Sequence, residues 1–341
     1  MPSSTRPRLP RRAARALAAG AVALLVPAFV GCGGDDALTV YSGRDEVLIG
    51  PVLDDFADEA GVELEVRYGD SAELAATILE EGDASPADVF VSQDAGSLGA
   101  LEKDGLLSEL DEEVLARVDR PFRSRAGDWV GISGRARVIA YDSRELSEPD
   151  LPDSVLDLTD PEWEGRVGWA PTNGSFQAFV TALRITEGEQ AAREWLEGMV
   201  ANRTVAFDSN IPIRDAIAAG EIDVGLINHY YVAEAKAEDP EYPVEVYSPP
   251  GDIGAMINVA GAGILASSDR PEEAAELIDF LLGPEAQRYF ASETKEYPLI
   301  EGVEVEPGIV PLAQIDQPDV DLSNLDDLQG TLTMIEESGA L

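Results

Sequence analysis

After residue 37 the chain alternates short apolar runs with amphipathic stretches, and no other feature constrains its fold as much. Such alternation calls for an α/β architecture, with helices packed on strands. Leu38-Thr39-Val40-Tyr41 reads as a strand, and Val47 to Ala60 as a helix closed by Gly61. The strict alternation of Val62 to Tyr68 predicts a second strand, and Ser71 to Glu81 a helix capped by Ser71 and closed by Gly82. A third strand follows at Ala87 to Val91. This opening puts the loops that follow the strands on one rim of a parallel sheet, where such folds hold ligands. The rest repeats the logic. Strands are predicted at 134–141, 167–169, 222–227 and 258–265. Helices are predicted from about 176, at 189–196, 211–219 and 229–237 (capped by Asn228), at 271–282, and in the tail from about 325. The strands at 134–141 and 258–265 read as crossovers between two lobes, so that a cleft between the lobes can close by hinge motion.

The start of the sequence speaks to compartment. Arg6, Arg8, Arg11, Arg12 and Arg15 precede an apolar run from Leu17 to Val30, too short to span a bilayer comfortably. The run ends at Gly31-Cys32, which holds the one cysteine of the sequence. The arrangement resembles a bacterial lipoprotein signal, with Cys32 lipidated as the new N-terminus. An ordinary export signal or a start-transfer anchor is the alternative. Arg11-Arg12 hints at twin-arginine export. With Cys32 as the anchor no internal disulfide can form, so the mature part must be stable through its core alone.

Charge sets a second boundary. The sequence carries 24 basic and 66 acidic side chains, a net charge of −42; loss of the five signal arginines makes it −47. Such a field excludes nucleic acid and anionic membrane surface as partners. The acids are scattered, as in Asp54-Asp55 and Asp111-Glu112-Glu113, which reads as a solvated surface rather than a ligand site.

Asn228-His229-Tyr230-Tyr231 stands where a strand gives way to a helix. A helix N-terminus favours phenolate there, and phenolate oxygen is a hard anionic donor suited to a hard cation such as Fe(III). Against this stands the plain alternative that both rings pack as core and surface residues.

Six segments in order resemble the periplasmic ferric-ion-binding proteins of bacterial ABC importers, among the family 1 extracellular solute-binding proteins. They are Val40 to Arg44, Ser85 to Phe90, Ile132 to Val138, Pro161 to Gly168, Ala219-Gly220-Glu221 with Leu226 to Tyr231, and Glu296 to Leu299. The resemblance implies a two-lobe periplasmic-binding-protein fold of type II, each lobe a mixed sheet flanked by helices, with two crossover strands as hinge. It implies a signal at 1–31, a tether at 32–37, a first lobe from 38–137 and 263–310, and a second from 138–262 and 311–341. It also implies Fe(III) held by Tyr230 and Tyr231, with carbonate or phosphate as synergistic anion. Asp45 and Glu46 stand where relatives carry histidine, or histidine then tyrosine, and Gln93 where they carry glutamate, so the first-lobe donors remain oxygens. The anion loop matches Asn173, Gly174 and Ser175, with Asn210 and Asn228 lining the same pocket; exposed amides at a helix start suit such an anion. Arg135 matches an arginine that pairs with carbonate in some members, an ordinary ion pair being its alternative. Arg44 lies in the first-strand loop, and His229 reads as a helix-start residue. The implied partners are a permease and its ATPase, the protein being a monomer outside the cytoplasmic membrane.

Other functions stay open on the residues alone. The same scaffold could hold an organic or inorganic anion, or a small cation. No Gly-x-Ser-x-Gly elbow, His-Glu-x-x-His, P-loop or usable cysteine nucleophile is present, which leaves a carboxylate-based hydrolase as the enzymatic alternative. A sensory or adhesive lipoprotein is a further one.

Overall fold

The computed structural model describes residues 37–341; the predicted signal, Cys32 and most of the tether lie outside the described residues. The first part runs β1 (Leu38–Ser42), α1 (Glu46–Ala60), β2 (Leu64–Tyr68), α2 (Ser71–Glu81), β3 (Val89–Ser92), α3 (Ala95–Lys103), α4 (Glu112–Leu115) and β4 (Val130–Asp142). It continues with β5 (Val167–Trp169), α5 (Gly174–Thr186), α6 (Glu189–Ala201), β6 (Val205–Ala206), α7 (Asn210–Ala219), β7 (Val224–Asn228), α8 (Tyr230–Glu238) and β8 (Val244–Tyr247). β9 (Ile257–Ile264), α9 (Pro271–Leu281), α10 (Pro284–Ser292) and α11 (Leu328–Ser338) complete it.

Pairing divides the strands between two sheets that share β4. β1 pairs in parallel with β2 and β3, and β9 runs antiparallel to both β3 and the first half of β4. The second half of β4 leaves that sheet and pairs antiparallel with β7 and β8; β5 lies parallel to β7 and to β6. β4 is thus the outward crossing, and the chain returns just before β9. All of Ile257–Ile264 pairs within the first sheet, so the change of sheet falls before Ile257 rather than inside the strand. The tail touches both sides. Gly96 and Gly99 of α3 lie against the carbonyls of Leu325 and Ser323, whereas α11 bonds α5 through Thr331 and Thr181 at 2.7 Å.

Local chemistry explains where the elements start. Asp70, not Ser71, caps α2, accepting from the amides of Ala72 and Glu73. That frees the Ser71 hydroxyl to accept from the Gln93 amide at 2.9 Å and tie the helix start to the end of β3. Asn173 caps α5, its side chain accepting from the Ser175 amide. The helix is anchored behind by Phe176 and Phe179, which pack with Trp169 and Trp195 at centroid separations of 5.6 to 6.3 Å. Each such buried ring contributes about 1.5–3 kcal/mol, enough to fix the helix start within the fold.

β4 is the unusual strand. All thirteen of its residues are buried, although Ser133, Arg135 and Arg137 alternate along one face. Charged groups in that position require partners. Arg44 from the end of β1 and Glu296 supply one set: Arg44 Nη2 stands 2.8 Å from Glu296 Oε2, which also accepts from Ser133 Oγ at 2.8 Å. Burial opposes the Glu296 charge, but Arg44 and Arg135 outweigh it and hold the carboxyl below its usual range. Arg44 is therefore structural, holding β1 to the Thr294–Tyr297 segment.

Candidate functional site

A cleft of about 890 Å³ opens where the two sheets meet. Its walls carry Asp45, Gln93, Asp94, Arg135, Asn173, Gly174, Ser175, Asn228, Tyr230, Tyr231, Glu234 and Asn258. Strand register assembles much of this surface, because Arg135 pairs with Asn258 and Arg137 with Asn228. Loops at strand ends and the starts of α5 and α8 supply the rest.

Tyr230 and Tyr231 open α8 directly after the buried strand β7. Their rings lie 4.3 Å apart at 40°, both half-buried. Asn228 does not cap the helix as expected. It ends β7, and its Nδ2 lies 3.4 Å from the Tyr230 hydroxyl as a weak donor. Burial, with the neighbouring Tyr230, pushes the Tyr231 hydroxyl well above the usual phenol range. The helix start therefore does not by itself produce a phenolate at Tyr231; a cation in the cleft would have to displace the proton.

His229 lies beneath the pair, stacked on Tyr297 at 4.3 Å. The Ala136 amide donates to its Nδ1 at 3.2 Å, which leaves Nε2 to donate to the Lys295 carbonyl at 3.0 Å. Burial lowers its pKa to about 4, so the ring is neutral and both nitrogens are engaged. It serves as a strut beneath the helix start.

The first-lobe residues separate. Asp45 lines the cleft at the exposed end of the β1–α1 loop. Glu46 does not line it; its carboxylate instead adds to the factors that raise the Tyr68 phenol. Gln93 follows β3, and its Oε1 is buried without a hydrogen-bond partner. Asp94 beside it was not foreseen. It caps α3 through the Ser97 amide at 2.9 Å, and burial raises its carboxyl although Ser97 and Arg135 pull it down. Arg135 donates to the Gln93 carbonyl and stands 3.7 Å from Glu296, yet its Nη1 makes no hydrogen bond. Arg135 is thus a buried ion-pair partner of Glu296, not a surface one, and its Nη1 is without a hydrogen bond.

On the second-lobe wall Asn173, Gly174 and Ser175 face the cleft at the start of α5. Asn210 does not; it is 1% exposed behind that wall, held to Arg137. The donors gathered in the cleft are phenols, carboxylates and an amide oxygen, with neither thiol nor imidazole. Such a set suits a hard cation.

Residues 84–324 match the model of a family described as bacterial extracellular solute-binding protein. The chain belongs to that family. This solute-binding protein is 34% identical over 311 residues to the Fe(3+)-binding periplasmic protein of Serratia marcescens, covering 90% of this chain and 91% of that one. It superposes on iron-bound HitA from Pseudomonas aeruginosa with a TM-score of 0.80 at 35% identity, over 89% of this chain and 99% of that one. The Trichodesmium protein termed IdiA or FutA, solved with iron and citrate ligands, gives a TM-score of 0.78 at 27% identity over 89% and 99%. The solute-binding protein therefore has the two-lobe type II fold, with the cleft between its lobes.

Asp94, Glu234 and Asn258 were missed in the sequence. Asp94 carried a signal, as a cap residue at a strand end beside Gln93. Asn258 carried none, because only its register with Arg135 brings it to the cleft.

Proposed function

We propose that this solute-binding protein captures Fe(III) together with an oxyanion in the interlobe cleft and delivers the iron to the permease and ATPase of an ABC importer. One observation carries the reading: two adjacent phenols at the start of α8, rings 4.3 Å apart, share a cleft with Asp45 and the unpartnered Gln93 Oε1. Tyr230 and Tyr231 bind as phenolates, with Asp45 and Gln93 completing the oxygen set from the opposite wall; Glu46 has no part in it. Two phenolates and one carboxylate balance the three charges of Fe(III). A carbonate or phosphate at Asn173, Gly174 and Ser175 then adds negative charge that the guanidinium of Arg135 offsets. The names of the relatives, which include ferric and iron-bound proteins and one with citrate, support this assignment.

In this reading residues 37–136 and 257–310, with the 320–325 segment on α3, form the first lobe. Residues 137–256 and α11 form the second. The protein is a monomer that performs no turnover, exported and held outside the cytoplasmic membrane by a lipid on Cys32.

Ferric titration in the presence of phosphate or carbonate tests the assignment. Tyrosinate bound to Fe(III) absorbs visible light by charge transfer. Tyr230→Phe and Tyr231→Phe should each weaken that band and lower ferric affinity tenfold or more, about 1.4 kcal/mol. A protein that stays colourless after ferric loading would sink the iron reading.

A further inference from the structure

Arg137 is a buried cation beside the cleft with no part in the proposed iron site. It is 3% exposed, in the middle of β4, and among the described residues no carboxylate forms an ion pair with it. A lone buried charge is costly, so its surroundings must be arranged to keep it. Nη2 donates to the Leu226 carbonyl at 2.7 Å. Nη1 faces three acceptors at the ends of three elements: Ser175 Oγ at 3.3 Å, and Asn210 Oδ1 and Asn228 Oδ1 at 3.4 Å. Nε has no partner. Burial pulls the guanidinium down to about 9, against the pull of Tyr230 and Tyr231, so it remains charged at neutral pH.

The chemistry of these contacts has one orientation. A guanidinium has five donors and no acceptor, so any amide held against it must present its oxygen. Asn228 therefore turns its Nδ2 outward, where it reaches the Tyr230 hydroxyl. Asn210 likewise presents oxygen to Arg137, and its buried Nδ2 is left without an acceptor. Ser175 Oγ gives its proton to Asn173 Oδ1 and a lone pair to Arg137, which fixes the loop at the start of α5. One side chain thus orients the two cleft-lining groups Ser175 and Asn228, and Asn210 behind them. A narrow recess bounded by Arg137, Phe179 and Met256 shares Arg135, Ser175, Asn228 and Asn258 with the cleft, which places the charge beside the ligand space.

We propose that Arg137 is a positioning and charge-setting residue for anion recognition: it holds Ser175, Asn210 and Asn228 oxygen-inward, and its unpaired charge makes the second-lobe wall prefer a doubly charged oxyanion over a singly charged one. The inference rests on an oxyanion binding at the 173–175 loop, but not on iron. It makes the metal-free protein an anion binder in its own right.

Calorimetric titration of the metal-free full chain with inorganic phosphate, and separately with bicarbonate, at one pH and ionic strength tests it. Wild type should bind phosphate more tightly than bicarbonate. Arg137→Gln should weaken phosphate tenfold or more and bicarbonate by only about threefold, collapsing the preference by removing charge. Arg137→Lys keeps the charge without the fork and should lose overall affinity while retaining most of the preference. A purely structural role would instead weaken both anions equally in both variants, and that result overturns the proposal, as does unchanged phosphate binding in Arg137→Gln. Should Arg137→Gln not fold, Arg137→Lys decides alone, since an unaltered phosphate affinity there refutes the fork. The two readings separate cleanly. A ferric band without phosphate binding by the metal-free protein refutes the Arg137 role and leaves the iron assignment standing. Phosphate binding that depends on Arg137 in a protein that never colours does the reverse.

Discussion

Glu296 shows what single side chains contribute here. Its carboxylate is buried and satisfies Arg44, Ser133 and Thr294 at 2.8 to 3.1 Å, with Arg135 at 3.7 Å. Glu296→Gln leaves Arg44 buried without a counter-charge and should destabilise by about 3–5 kcal/mol at neutral pH. The sign with pH follows from its lowered pKa. The stabilisation is complete above the unfolded value of about 4.3 and is lost as pH falls through the folded one. Urea unfolding of wild type and variant should show a constant gap from about pH 8 to 5 that closes below about pH 4. A gap already closing near neutrality would contradict the pairing. None of this was legible beforehand, since Arg44, Ser133 and Glu296 are far apart in sequence. Tyr230 and Tyr231 stood out at a strand end, but the short run left ordinary packing open, and only the resemblance over six segments singled them out. Arg137 was not legible, because its significance depends on what β7, α5 and α7 present to it.

Apolar periodicity locates an element where it is uninterrupted, as in α1, α2 and α9, and fails where polar residues are buried. β4 extends from Val130 to Asp142, beyond the predicted 134–141, because Val130, Gly131 and Ser133 pair with β9 and Asp142 with β8, distant partners that no local pattern reveals. Caps were misplaced by one residue at α2, and at α8 a capping asparagine proved to be a strand end. The tail was expected to be helical, but its contact with α3 was not anticipated. That contact depends on glycine. A Cβ on Gly99 would meet the Ser323 carbonyl oxygen at 2.1 Å, and backbone on both sides leaves nothing free to move. Gly99→Ala should therefore force the 322–325 segment off the helix and cost about 1–3 kcal/mol despite the better helix propensity of alanine. A lowered urea midpoint checks it, and a stabilised variant would mean that the tail does not rest on α3 in solution.

For the whole molecule the dominant quantity is charge. The two lobes, the cleft and the outward crossing in β4 followed from alternation and order of segments, whereas the return crossing expected at 258–265 did not, since all of β9 pairs in the first sheet. The net charge of −42 predicted no site and is borne by scattered acids. The exposed ion pairs are too few to offset it. Arg193 with Glu337 and Lys103 with Asp326 are typical, and surface pairs of this kind contribute about 0–1 kcal/mol each. Repulsion among the unpaired acids must then work against the compact state. Salt should relieve it, because at 0.5 M the screening length is a few ångströms, while the buried Arg44–Glu296 pair is screened far less. Calorimetric melting of the metal-free protein should accordingly move up by about 2–6 °C between 10 mM and 0.5 M sodium chloride, the equivalent of about 1–2 kcal/mol for a chain of this size. The direction separates two accounts. If attractive surface pairs governed stability, added salt would lower the melting temperature; if self-repulsion governs it, the temperature rises and levels off once the field is screened.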